Sequence, residues 1–207
     1  MARNKSSKNW IREHEQDYWV QRARKEGWRA RSCFKLLEIA DKDGLLRSGQ
    51  QVVDLGAAPG GWSQVAAARV GAKGGVIASD ILDMEPVPGV TFLQGDFRED
   101  DIYQRLLDEL DGGRADLVLS DMSPNISGHQ AIDQPRVMAL AELALDMAQT
   151  VLAPEGQCLI KVFQGEGFDE FRQAMKASFR SVKSRKPEAS RARSPEVYLL
   201  GSGRQMV

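Results

Sequence analysis

Cysteine is scarce in this chain: two in 207 residues, Cys33 and Cys158, far apart and without metal-ligand spacing. That excludes a disulfide framework and a thiolate metal site, and it fits a reducing compartment. Histidine is equally sparse, and neither His14 nor His129 has a partner pattern, so neither is assigned a role. Long hydrophobic runs are missing as well, and nothing approaches the roughly 20 apolar residues that span a bilayer. The first ten residues are basic and polar with no apolar segment, unlike a secretion signal. Glu13, Glu15 and Asp17 come too early for a mitochondrial transit peptide. Neither a repeat at solenoid spacing nor a low-complexity tract is found. A cytoplasmic protein is expected.

What is present suits one domain over residues 1–207: the hydrophobic share of 42% can fill a core. Within it, residues 1–48 are expected to form a basic helical extension packed on a core of 49–203. The net charge of −1 conceals a strong segregation. Residues 1–50 hold 12 Lys/Arg against 7 Asp/Glu, residues 51–171 hold 7 against 20, and residues 172–207 hold 9 against 2. Two basic arms around an acidic middle can meet as one positive face. Solvated surface charge would look the same, but the asymmetry favours a polyanionic partner. No obligate protein partner is evident, and a monomer is expected.

The apolar spacing predicts an amphipathic helix over 9–26, ended by Gly27, and a second from Ser32 through Ile39. From residue 50 strands and helices alternate. Strands are predicted at 52–55, 76–79, 90–93, 117–120 and 158–163, with helices at 62–70, 97–110, 133–152 and 168–179. The last two strands, 181–186 and 196–200, have no helix between them. This order implies an α/β fold of the Rossmann-like type, a mostly parallel seven-stranded sheet with helices on both faces. The final strand should run antiparallel beside its neighbour.

The most informative stretch is Asp54-Leu55-Gly56-Ala57-Ala58-Pro59-Gly60-Gly61-Trp62, between the first strand and a helix. An open α/β sheet binds ligands there, beyond the carboxyl ends of its strands. Gly56, Gly60 and Gly61 permit tight turns and a close approach of ligand to backbone, although many turns hold three glycines for conformational reasons alone. Asp80 ends the second strand, where an acid can hydrogen-bond the ribose hydroxyls of an adenosine cofactor. Asp96 ends the third and could accept from the adenine amino group. A nicotinamide cofactor would also suit Asp80, but its pyrophosphate requires a G-x-G-x-x-G turn that this loop does not match. S-adenosylmethionine carries a sulfonium and an ammonium and no phosphate, and carboxylates at Asp54 and Asp121 suit such a cation. The methyl donor is the expected cofactor.

Three more residues fall at strand ends on the same edge. Asp121 closes the fourth strand, Lys161 lies at the carboxyl end of the fifth, and Glu196 opens the last, antiparallel one. Each has an ordinary explanation: a turn cap, a lysine reaching solvent, an edge-strand charge. Lys161 is the least ordinary, because it interrupts the apolar run Cys158-Leu159-Ile160 and Val162-Phe163, and a lysine there needs partners or solvent. A ribose hydroxyl must lose its proton as it attacks a sulfonium methyl. A lysine can stabilise the developing alkoxide or take the proton itself. Asp121 and Glu196 favour the first role, whereas a second cation at Lys35 pushes the other way. The expectation is Lys161 as the central group, oriented by Asp121 and Glu196, with Lys35 assisting at the substrate.

These residues in this order resemble the FtsJ-type family of 2′-O-ribose methyltransferases. The likeness runs from about Trp10 to Gly203. It includes Ser32-Cys33-Phe34-Lys35-Leu36, the loop from Val53 to Ser63, Phe92 to Arg98, Lys161 to Phe168, and Ser190 to Ser194. By that resemblance Lys35, Asp121, Lys161 and Glu196 match the family's catalytic tetrad. Gly60, Trp62, Asp80, Asp96 and Asp121 match its cofactor contacts. The resemblance implies methylation of a uridine in the A-loop of large-subunit ribosomal RNA, on assembled particles, although close relatives modify transfer RNA or messenger caps. Arg22, Arg24, Lys25, Arg29, Arg31, Arg191 and Arg193 are the candidate RNA contacts. Trp19 and Trp28 could stack on bases or pack in the core. A base-amino methyltransferase is the nearest rival, but its Pro-Pro-aromatic loop is absent from Asp121-Met122-Ser123-Pro124-Asn125. A non-catalytic RNA-binding factor would be expected to lose tetrad members, and all four positions are filled.

Overall fold

The computed structural model describes residues 17–110 and 112–205. Among the described residues two short helices come first, α1 (Tyr18–Glu26) and α2 (Cys33–Asp43). The Asp17 carboxylate caps α1 by accepting from the backbone of Trp19 and Val20, and a left-handed Gly27 ends it. Residues 9–16 of the expected first helix lie outside the described residues. Then follow β1 (Gln51–Leu55), α3 (Gly61–Val70), β2 (Gly75–Asp80), β3 (Val90–Gln94), α4 (Asp100–Glu109), β4 (Ala115–Ser120), α5 (Gln130–Val151), β5 (Leu152–Phe163), α6 (Phe168–Ser178), β6 (Phe179–Arg185) and β7 (Glu196–Arg204).

One sheet holds all seven strands in the order β3-β2-β1-β4-β5-β7-β6. β1 pairs in parallel with β2 and β4, β2 with β3, and β4 with β5; β7 runs antiparallel to both β5 and β6. This is the mostly parallel sheet with an antiparallel last strand that the alternation implied. The central strands are apolar almost throughout because helices cover both faces. On one face Val53, Val118, Ile160 and Leu199 pack under α4, α5 and α6. On the other Val52, Leu119, Leu159 and Tyr198 pack under α1, α2 and α3, so the described N-terminal segment shares a core with the sheet. Among the described residues no helix is long and apolar enough to cross a membrane.

From β1 onward, three element starts shift by three residues or more from the sequence expectation, each for a local reason. α4 starts at Asp100, not Phe97, because the Asp96 carboxylate accepts from the Arg98 backbone and folds 96–99 into a turn. β5 starts at Leu152, not Cys158. Its pairing with β4 jumps from Ala115↔Leu152 to Leu117↔Gln157, so Pro154 and Gly156 sit in a bulge of the strand instead of ending a helix. α5 begins at Gln130, ahead of Asp133, whose carboxylate draws in the preceding loop by accepting from the backbone of Ser127 and Gly128.

Candidate active site

Side chains alternate across a strand, and this parity gathers the site. Leu119 and Leu159 face the α1–α3 side, so the next residues of that parity, Asp121 and Lys161, emerge there at the strand ends. Lys161 lies directly opposite Tyr198 on β7, and Glu196 precedes Tyr198 by one full period. α2 crosses the same face and brings Lys35. The result is a continuous chain of contacts. Lys161 Nζ donates to the Asp121 carbonyl at 2.6 Å and lies 3.1 Å from Asp121 Oδ1. Tyr198 donates its hydroxyl hydrogen to the same Oδ1 at 2.7 Å. Lys35 Nζ donates to the Tyr198 oxygen at 3.2 Å and to Glu196 Oε1 at 2.6 Å, and Ser190 Oγ donates to Glu196 Oε1 at 2.8 Å.

Water is largely excluded here: the Lys161 side chain is 6% exposed, and those of Lys35 and Glu196 are 12% each. Burial would raise the Asp121 carboxyl. The charges of Lys161 and Lys35, with hydrogen bonds from Tyr198 and Lys161, outweigh it and hold the group below its ordinary value. The Tyr198 hydroxyl goes the other way: burial, then the charges of Asp121 and Glu196, push it well above the ordinary tyrosine range, so it stays a donor. Glu196 thus pairs with Lys35 rather than flanking Lys161, and Tyr198 joins the two ion pairs.

Beside Asp121 opens a cavity of about 610 Å³ at the carboxyl ends of β1, β2, β3 and β4. It is lined by Gly56 and Ala58 of the loop after β1, Ser79 to Leu82 at the end of β2 and after it, Asp96 and Phe97 after β3, Asp121, Met122 and Pro124 after β4, and Arg136 and Leu140 of α5. Asp80 accepts from the backbone of Ala58 at 2.9 Å and of Leu82 at 2.8 Å, which ties the loop after β1 to the segment after β2. Asp96 is held by the Arg98 side chain, whose hydrogen bonds keep its carboxyl below the ordinary value. Asp54 lies behind the cavity, 1% exposed, with Oδ2 accepting from Ser63 Oγ at 2.6 Å. Its Oδ1 and the Ser79 hydroxyl are buried without a partner among the described residues. Burial, helped by the charges of Asp121 and Asp80 against the Ser63 bond, pushes the Asp54 carboxyl up to about 7.

The structure therefore brings Lys35, Asp121, Lys161 and Glu196 together and sets Gly56, Asp80, Asp96 and Asp121 on the cavity wall. Asp54, Gly60, Gly61 and Trp62 do not line it. Trp62 is 2% exposed, its indole N–H donates to the Ser32 carbonyl, and its ring stacks 5.5 Å from that of Tyr198. Among the expected RNA contacts, Arg24, Lys25 and Arg193 are exposed. Arg22 pairs with Glu26 and lies over the rings of Trp19 and Phe34. Arg31, with Arg191 nearby, pairs with Asp17 and donates to the Ala189 carbonyl; Arg29 donates to the carbonyls of Pro59, Glu85 and Pro86. Trp19 and Trp28 are half-buried against the core. Tyr198 and Ser190 are not among the site residues expected from the sequence. Tyr198 has a signal, since strand periodicity puts it on the face of Glu196; Ser190 has only its place in the Ser190–Ser194 stretch of the family likeness.

A model of the FtsJ-like methyltransferase family matches residues 28–204. The chain is 60% identical over 202 residues to a protein of Alcanivorax borkumensis named ribosomal RNA large subunit methyltransferase E, covering 98% of this chain and 97% of that one. A protein of the same name from Acinetobacter baylyi is 59% identical, at 98% and 94% coverage. Among solved structures, a Plasmodium falciparum chain described as a ribosomal RNA methyltransferase superposes with a TM-score of 0.76 at 25% identity, covering 86% of this chain and 98% of that one. A Clostridium thermocellum chain described as an rRNA methylase, at 18% identity and a TM-score of 0.54, covers 81% of this chain and 96% of that one and shares the fold alone.

Proposed function

The chain belongs to the FtsJ-like methyltransferase family, and on that premise we propose that it transfers the methyl group of S-adenosylmethionine to the ribose 2′-hydroxyl of a uridine in the A-loop of large-subunit ribosomal RNA. The observation that carries this reading is the buried chain Lys161–Asp121–Tyr198–Lys35–Glu196, of which Asp121 reaches the cavity wall.

The cavity walls suit the cofactor chemically. Asp80 would hold the ribose hydroxyls, because each of its oxygens already accepts one N–H and retains a lone pair. Ile81, Leu82, Phe97 and Met122 offer apolar surface to a purine, with Asp96 at its edge. Asp121 would supply negative charge for the cationic end, with the half-partnered Asp54 buried behind it. When bound, the cofactor supplies an electrophilic methyl group. Lys161 acts as its ammonium: Asp121 takes two of its three N–H donors, leaving one for the attacking hydroxyl oxygen and the charge that develops there, while the hydroxyl proton leaves to water. Asp121 and Tyr198 fix that ammonium, and Lys35, anchored by Glu196, adds a second cation on the substrate side.

Ribosomal RNA as the substrate is supported by the names of the relatives and by the basic surface of Arg24, Lys25, Arg191 and Arg193. We place the protein in the cytoplasm, acting as a monomer on the assembled large subunit. The test supplies purified protein and methyl-labelled cofactor to large subunits from cells lacking this gene, then maps the label. Label on one uridine ribose in the A-loop is the expected result; label on a base, or none in ribose, defeats the proposal.

A further inference from the structure

We infer that Arg29 is a positioning residue for the cofactor cavity, clamping two of its walls from the linker between α1 and α2. This rests on reading the cavity as the cofactor site. Arg29 stands in a run of cations with the sequence signature of an RNA contact, yet its guanidinium is spent on the protein itself. Nη1 donates to the carbonyls of Pro59 and Glu85, and Nη2 donates to that of Pro86 at 2.6 Å. Pro59 belongs to the loop after β1, which carries Gly56 and Ala58 on the cavity wall. Glu85 and Pro86 belong to the segment after β2, which carries Ile81 and Leu82.

The linker is fixed to Gln64 of α3 at two of its residues, Gly27 and Arg29. The Arg29 backbone N–H donates to Gln64 Oε1 at 3.1 Å, and Gln64 Nε2 donates to the Gly27 carbonyl at 3.0 Å. The glycines of the cofactor loop point to the same contact. A Cβ on Gly60 would lie 2.8 Å from Met84 Sδ and 3.1 Å from Arg29 Nη1; one on Gly61 would lie 3.1 Å from the Ala30 Cβ. Gly60 makes room for Met84 and Arg29, and Gly61 for Ala30. The close approach at these two glycines is therefore made by the linker together with Met84.

Asp80 joins the loop after β1 to the segment after β2 from inside the cavity, through Ala58 and Leu82, and Arg29 joins them from outside. Without the guanidinium, that junction keeps Asp80 and the small apolar cluster of Ala57, Met84 and Val87. A planar fork can reach carbonyls on two loops at once, which a single ammonium does poorly. Arg29 therefore sets the spacing of the walls that a nucleoside must enter.

The experiment compares wild type, Arg29→Ala and Arg29→Lys in three measurements: S-adenosylhomocysteine and S-adenosylmethionine affinity by calorimetry, amide exchange over residues 57–60 and 81–87, and the salt dependence of RNA affinity. The expected result is a loss of about tenfold or more in cofactor affinity for Arg29→Ala, with faster exchange in those two segments. Arg29→Lys should fall in between, and the RNA salt slope should be unchanged. If Arg29→Ala fails to fold, the Lys variant carries the same test alone. Wild-type cofactor affinity in the folded variants overturns the inference. So does a salt slope reduced by about 0.7, the value of one neutralised single-strand phosphate, with cofactor affinity intact. A wild-type protein that binds neither cofactor form overturns the cofactor reading itself, a different outcome from a wild type that binds and variants that bind equally.

Discussion

Replacing Tyr198 by phenylalanine removes one oxygen from the centre of the charge network and leaves the ring in place. The ring is fully buried and rests 5.5 Å from Trp62, so packing is kept. The deleted hydroxyl donates to the Asp121 carboxylate and accepts from the Lys35 ammonium, both charged partners. A hydrogen bond to a charged group contributes about 1.5–3 kcal/mol, and a partner left short in a dry site adds to the loss. For a chain of this size each kcal/mol moves the melting midpoint by roughly 2–4 °C, which puts the expected fall at about 3–12 °C. The hydroxyl also helps depress the Asp121 carboxyl, against the opposing effect of burial. A group with a folded value below its unfolded one adds stability above the unfolded value of about 3.9, and that stability is lost as the pH falls through the folded value. Removing the hydroxyl raises the folded value and shrinks this contribution. The penalty of Tyr198→Phe should therefore be largest near neutral pH and should diminish below about pH 4. Urea unfolding of both proteins across this range measures it. Equal midpoints at neutral pH would refute the bridging role of the hydroxyl.

Two further perturbations follow from the same structure. Asp54, raised to about 7 chiefly by burial, should make the protein lose stability as pH rises from roughly 4 to 7, because the unfolded carboxyl ionises first. Asp54→Asn, which can still accept from Ser63, should flatten that decline in urea titrations at the two pH values. A decline of wild-type size in the variant would show that Asp54 is not its source. Arg24 and Lys25 are exposed on α1, and replacing both with alanine should lower the salt slope of RNA binding by about 0.7 for each single-strand phosphate that the two cations neutralise. An unchanged slope would move the RNA surface elsewhere.

The fold was open to sequence reading because its two signals reinforce each other. Central strands buried on both faces read as short apolar runs, and the helices between them carry the other period. The site was readable where chemistry clashes with environment. Lys161 inside an apolar strand demanded partners, and the strand ends showed where Asp121 and Glu196 must come. Which acid meets which cation was not readable, since it depends on how α2 crosses the sheet and on the Tyr198 hydroxyl standing between them. Nor was the fate of Arg29, because nothing local separates an arginine that faces solvent from one folded over three carbonyls. The bulge at the start of β5 was hidden for a similar reason: Pro154 and Gly156 end a helix and interrupt a strand with the same residues.

The proposed function requires the Lys161 ammonium to stabilise the attacking ribose oxygen. Its most direct test is the single-turnover rate of Lys161→Met, with large subunits and S-adenosylmethionine both saturating and the fold checked by circular dichroism. Loss of one donor aimed at a developing oxyanion typically lowers the rate by about 10²–10³-fold, and a loss of at least that size, with cofactor affinity retained, is the expected result. A rate close to that of wild type would contradict the account.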